Sequence, residues 1–299
     1  MDDVKLAPVA DDDEDELRKS DGTFVVLCKK MIKRADVMIA LFIILLLVVL
    51  TIISPYIVKY KYNEISLPNM NKPPSMSHLL GTDHLGRDIL SRILYGARYS
   101  LSIGILAVCF TAVFAILLGC TAGYFGGFID NIIMRVLDII HAIPNILFAV
   151  IISSLLGPGF VQTFIAIGVG GIPNHARTVR AQIMAVRGLE FVEAAESINC
   201  SKPRIIFLHV FPNAITPFIV GATMAAANGL VSAATLSFIG LGMQPPLPEW
   251  GAMLSDALTY VRLYPYMMVA PGMFIIVTVM AFNIIGDAVR DVIDPKLNK

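Results

Sequence analysis

The chain has 299 residues, of which 56% are hydrophobic and only 15% charged, and its mean hydropathy is +0.73. Soluble domains carry about 25% charged and about 45–50% apolar residues, so an ordinary soluble domain is excluded in favour of an all-α, polytopic membrane protein. Lys plus Arg and Asp plus Glu number 23 each, so the net charge of zero gives no reason to expect a nucleic-acid partner.

The first 36 residues contain the acidic run Asp11-Asp12-Asp13-Glu14-Asp15-Glu16, which reads as a solvated tail. This start is too polar for a cleaved signal peptide. Val37 to Val58 is uncharged and long enough to cross a bilayer. Lys29, Lys30, Lys33 and Arg34 precede it, which places the N-terminus on the cytoplasmic side. Residues 60–97 are more polar, contain Pro68, Pro73 and Pro74, and are expected outside. Further spans follow at Tyr99–Tyr124, Ile132–Leu156, Phe160 to about Ile183, Ile215–Met243 and Pro265–Ile285. The fourth is the weakest, because Pro173, Asn174, His175, Arg177 and Arg180 make its inner half polar. Six spans return the tail from Asp287 onward to the cytoplasm. Arg87, Arg92 and Arg98 run against the charge rule on the outer side, where Trp250 is expected at the lipid interface.

Several polar groups lie among the spans. Gly81-Thr82-Asp83-His84-Leu85-Gly86-Arg87-Asp88 superficially has the glycine spacing of a phosphate loop. Arg87 and Asp88 replace its lysine and hydroxyl, and the carboxylate would repel phosphate. The segment reads instead as an interfacial helix capped by Asp83, with Asp83/Arg87 and Asp88/Arg92 as i,i+4 pairs. His84 and Asp88 lack a third metal ligand. Asp138 and His141 read as a paired group near the inner half of the third span, and Asn283, Asp287, Arg290 and Asp294 as charge pairing along the last helix. Gly104, Gly119, Gly123, Gly221 and the alanines at 225–227 allow close helix contacts. None of Cys28, Cys109, Cys120 and Cys200 forms C-x-x-C, so neither a disulfide framework nor a metal site is expected.

The loop from Arg187 to Asn213 is predicted to be helix, tight turn, helix. Phe191–Ile198 has no breaker, Asn199 tolerates the left-handed conformation of a helix end, Ser201 and Pro203 suit a helix start, and Pro212 ends the second helix. A carboxylate at Glu193 beside the methyl-sized Ala194 and Ala195 suits close approach by another protein. Residues 190–213, EFVEAAESINCSKPRIIFLHVFPN, resemble the EAA loop of binding-protein-dependent ABC importer permeases, with Asn199 where that family usually has Gly. GTDHLGRDILSRILYGAR at 81–98, SFIGLGMQPPLPEWG at 237–251 and FNIIGDAVRDVIDP at 282–295 resemble the C-type subunit of the peptide and nickel permease family.

The resemblance runs from about residue 80 to the C-terminus. It implies a type I importer fold with six transmembrane helices in the cell membrane and both termini cytoplasmic. Residues 1–36 and 291–299 are then tails, 37–59 an anchor, 60–97 an outer segment, and 98–290 a permease core with a coupling loop at 190–213. It implies contact with an ATPase subunit through Glu193, Ala194, Ala195, Asn199, Cys200 and Arg204. The implied partners are a second, homologous permease, two ABC ATPases that bind ATP and Mg, an extracellular binding protein, membrane lipid, and a di- or oligopeptide substrate, with nickel or another small solute as the alternative. No catalytic residue or cofactor is expected on this chain. The rival readings are an ion-coupled secondary transporter, which would want repeats and mid-membrane carboxylates, and a membrane enzyme, for which no catalytic spacing is present.

Overall fold

The computed structural model describes residue 31 and residues 33–293. The acidic run, Cys28, Lys29, Lys30 and Asp294 lie outside the described residues. Those described are overwhelmingly helical, and among them an antiparallel bridge between Thr82 and Asp88 is the one β feature. In chain order the helices of eight residues or more are α1 (Ala35–Ile57), α2 (Ile89–Phe125), α3 (Gly127–His141), α4 (Asn145–Leu156), α5 (Phe160–Arg187), α6 (Glu190–Ser197), α7 (Thr216–Phe238), α8 (Trp250–Ala257) and α9 (Tyr266–Ile293).

Helices α1, α2, α7 and α9 are each long and apolar enough to cross a membrane. The third expected span is not one straight helix, since α3 and α4 meet at 87°. Pro144 stands at that break as the N-cap of α4, with no N–H to continue the ladder of α3. The fourth, α5, has 28 residues, or about 42 Å at 1.5 Å per residue, which is longer than a bilayer core is thick. Its polar second half keeps its hydropathy below that of the others.

Helix α5 packs along α2 to form the centre of the bundle. Gly119 and Gly123 make that contact close: a Cβ on either would lie within 2.9 Å of main-chain or Cβ atoms of Ala176, Val179, Arg180 or Ile183. Gly104 similarly faces Ala226 and Leu230 of α7. Gly221 does not share that role. The nearest atom to a Cβ there is His175 Nε2 at 3.9 Å, so this glycine faces open space.

Residues 81–88 form a turn, and α2 begins at Ile89, well before the expected Tyr99. Asp88, not Asp83, is the cap: its Oδ2 accepts from Ser91 N at 2.8 Å and Ser91 Oγ at 2.7 Å, while Oδ1 lies 3.0 Å from His78 Nδ1. Asp83 instead folds the turn, accepting from the backbone N–H groups of Leu85 and Arg87 and from Arg87 Nε at 2.6 Å. Arg92 does not pair with Asp88 but lies 3.7 Å from Asp83 and 3.8 Å from Asp256. The arginines that run against the expected charge rule are thus structural. Arg87 and Arg92 are buried beside two aspartates, and Arg98 stacks 3.9 Å from the Tyr95 ring centroid and donates to Thr51 O.

Trp250 is likewise not interfacial. It is fully buried and donates from Nε1 to Ile93 O at 3.0 Å. Glu249 caps α8 before it, accepting from the N–H groups of Gly251 and Ala252 and from Ser100 Oγ. Burial pushes the Glu249 carboxyl above the ordinary carboxylate range, against the opposing effect of those hydrogen bonds.

Candidate functional site

Helix α6 lies at the opposite end of the bundle from this capped turn. Glu190 and Glu193 stand in its first turn, where the unsatisfied N–H groups favour negative charge. It ends in a Schellman turn. Asn199 N donates to Glu196 O at 2.9 Å, Cys200 N donates to Ala195 O at 3.1 Å, and Asn199 takes φ 59° between them. The left-handed position normally given to glycine is therefore filled by asparagine without loss of the turn.

The residues of α6, together with its C-cap Ile198, divide into two faces. Val192 and Ala195 are buried in a cluster with Tyr124, Val186, Ile205 and Ile206. Glu196 is tied to the same wall by Tyr124 Oη, which donates to its Oε1 at 2.9 Å. The Arg187 guanidinium lies 5.6 Å from the Tyr124 ring, and Lys202 Nζ lies 5.6 Å from the Phe125 ring. These contacts fix α6 to the end of α2. The other face is open. Phe191, Ala194 and Ile198 share it at helical spacing, with Phe191 41% and Ile198 75% exposed, and the exposed carboxylates of Glu190 and Glu193 flank them.

The six residues singled out by sequence do not all share that face. Glu193, Ala194, Asn199 and Arg204 are exposed, Ala195 is buried, and Cys200 is half-buried against the core. Two apolar members of the open face, Phe191 and Ile198, were missed, although their spacing from Ala194 was legible. The tether to Tyr124 is 72 residues distant and left no local signal.

Pro212 does not end the second helix. Lys202–Arg204 leads into a π-helical stretch, Ile205–Val210, and then Phe211–Ala214. Phe211 N donates five residues back, to Ile206 O. This widened register admits a proline that would clash with a carbonyl in an α-helical ladder. Helical backbone continues through Ile215 into α7. Asp138 is also paired otherwise than expected: Arg177 Nη2 donates to its Oδ1 at 2.7 Å, joining α3 to α5, and Asp130 takes both Nε and Nη2 of Arg180 at 2.5 Å. Both α5 arginines that made the fourth span polar therefore have carboxylate partners on α3. Among the described residues no group of three or more His, Cys, Asp or Glu could hold a metal.

Residues 115–299 match the family described as "Binding-protein-dependent transport system inner membrane component", and residues 34–74 match the "N-terminal TM domain of oligopeptide transport permease C". The chain is 40% identical over 269 residues to a dipeptide transport system permease protein, DppC, of Alkalihalophilus pseudofirmus, covering 90% of this chain and 88% of that protein. It is 41% identical over 259 residues to a glutathione transport system permease protein, GsiD, of Escherichia coli O157:H7, covering 86% and 85% respectively. Among solved structures, an inward-facing MetNI methionine ABC transporter matches with TM-score 0.55 at 19% identity, covering 68% of this chain and 97% of that one. That likeness shows the fold.

Proposed function

The chain belongs to the family of binding-protein-dependent transport system inner membrane components, and from that premise we propose that it forms, with a second and different permease, the membrane path for di- or oligopeptides. It is a multi-pass membrane protein and an ABC importer permease. The peptide substrate is supported by its relatives, a dipeptide permease and a glutathione permease. Two ATPase subunits, which hold ATP and Mg, dock from the cytoplasm, where both termini also lie. An extracellular binding protein delivers the peptide to the side bearing the Asp83 turn.

The observation that carries the coupling role is the division of α6 into an anchored face and an open apolar–acidic face. Such a helix suits a groove on a partner, with Phe191 and Ile198 as apolar anchors and Glu193 facing a basic group. The Asn199 turn and the half-buried Cys200 set the angle between α6 and the run through Arg204. The buried Ala195 lets α6 sit close to its own bundle, while the exposed Ala194 lets the partner sit close to α6. Because α6 joins α5 directly to the helical run into α7, a pull on it moves two core helices as a body.

The test uses vesicles containing the permease pair and the ATPases, with labelled dipeptide. Uptake by the wild type is expected to require both ATP and the binding protein. Glu193→Lys is expected to abolish uptake while the complex inserts at its normal level. Uptake driven by a proton or sodium gradient without ATP refutes the reading, and wild-type uptake by Glu193→Lys refutes the docking role of that carboxylate.

A further inference from the structure

Small and amide side chains gather on one face of each helix that meets in the bundle centre. On α7, Gly221, Ala225, Asn228 and Ser232 follow one another at helical spacing. On α5, Gly171, Asn174 and Thr178 do the same, with His175 beside them and its Nδ1 3.0 Å from Gly171 O. Asn145, at the start of α4, closes one side. Between these faces lie two adjoining cavities of about 200 and 240 Å³. Both are walled by Asn174, His175, Ala225 and Asn228, so they form one groove.

The chemistry of this lining is unusual for helices of such apolar composition. Among the described residues, no Asp, Glu, Lys or Arg borders either cavity. Asn174 and Asn228 are exposed, and neither carboxamide hydrogen-bonds to another described residue. A carboxamide facing lipid tails would leave its donors and acceptor without partners at high cost, so this is not a lipid-facing surface. Gly171 packs against Thr111, but helix packing does not account for Gly221, which opens onto the groove and seats no neighbour.

Resting on the reading of the chain as a peptide permease, we propose that this groove receives the main chain of a peptide in transit, with Asn174 and Asn228 as its hydrogen-bonding contacts. A peptide presents one N–H donor and one carbonyl acceptor at each residue, whatever its side chains. A carboxamide carries the complementary donor and acceptor together. Carboxylates or ammonium groups in the lining would select peptides by charge, whereas amides do not. Gly221 and Ala225 leave room on the α7 wall for side chains of different size.

The test compares the whole reconstituted complex, wild type and N174L/N228L, using labelled trialanine. Leucine fills a similar space and removes both hydrogen-bonding groups. Uptake is expected to fall at least ten-fold, while ATP hydrolysis stimulated by the loaded binding protein stays within two-fold of wild type. Uptake within two-fold of wild type overturns the proposal.

A second variant, N228C, keeps the test decisive if the leucine variant assembles poorly. A water-soluble cationic thiol reagent is expected to label it above the background from the exposed Cys109. Trialanine with binding protein and ATP is expected to slow that labelling at least five-fold. No labelling, the result if a helix of the second permease fills the groove, overturns the proposal, as does labelling that peptide does not slow. Absence of ATP-dependent trialanine uptake by the wild type overturns the functional reading and this proposal with it. Normal wild-type uptake with an indifferent N174L/N228L overturns the groove alone.

Discussion

Replacing Gly119 probes the contact on which both the fold and the position of α6 depend. A Cβ on Gly119 would lie 2.7 Å from Ala176 O and 2.7 Å from Val179 Cβ, about 0.7 Å short of the 3.4 Å at which ordinary contact begins. One obstacle is a backbone carbonyl and the other a Cβ, so neither can rotate aside, and α2 and α5 must separate. Overpacking of this kind costs about 1–3 kcal/mol. Alanine recovers about 1 kcal/mol through its helix preference over glycine, so G119A is expected to lose up to about 2 kcal/mol. G119V adds two more methyl groups against the same atoms and is expected to lose about 3 kcal/mol. At roughly 2 °C per kcal/mol for a chain of this size, the unfolding temperature of G119V falls by about 6 °C. The control is G188A, where an added Cβ meets nothing within 4 Å. Thermal unfolding in detergent at one fixed scan rate, followed by a thiol-reactive fluorophore that reports exposure of the buried Cys120, measures all three. A G119V variant that unfolds at or above the wild-type temperature, or a G188A variant that loses as much, refutes the close-packing argument.

Three further outcomes follow from the contacts at the two ends of the bundle. Tyr124→Phe removes the hydrogen bond to Glu196 and should increase hydrogen exchange in residues 190–197 about five-fold, equivalent to about 1 kcal/mol; adding Glu196→Gln should cost little more, and full additivity would show that the two groups do not interact. Asp83→Ala leaves Arg87 and Arg92 buried with only Asp256 nearby, at 3.4 and 3.8 Å. It should cost about 3–5 kcal/mol, measured as a fall of roughly 6–10 °C in unfolding temperature. Glu249 has a folded-state pKa raised by burial, so the native state holds its proton more tightly than the unfolded chain. Its contribution is complete below the ordinary carboxylate range and declines as pH rises through the raised folded value. Unfolding temperatures from pH 4 to 8 should therefore show a downward slope in the wild type that Glu249→Leu lacks, and identical slopes would contradict it.

Where the sequence succeeded, the signal was local. The uncharged run beginning at Val37 needs only its length and composition to specify α1, and the same holds for the spans that became α2, α7 and α9. The turn at Asn199 was legible because its left-handed conformation depends on the residue itself and its immediate neighbours. The glycines at 104, 119 and 123 were legible as packing sites because a missing side chain means close approach wherever two helices touch. The motif blocks carried the family, and with it an all-helical membrane architecture.

Tertiary structure decided whatever depended on partners distant in the chain. No local rule distinguishes Gly221 from Gly119. Only the helix packed against Gly119 made it a seat, and no described residue packs as closely on Gly221, a groove wall. Asp138 was three residues from His141 in sequence but pairs with Arg177, because α5 brings a full guanidinium to it. Trp250 was placed at the interface by its amphipathic character, yet Ile93 O satisfies its N–H inside the core. Pro212 failed as a helix breaker because a π-helical turn absorbed the misfit. Composition determined that the chain must live in lipid, since burying so few charges among so many apolar residues leaves no other solvent. Which polar groups face one another, and so which side of α6 is left open, was settled by long-range packing, whose free energy no single segment of sequence contains.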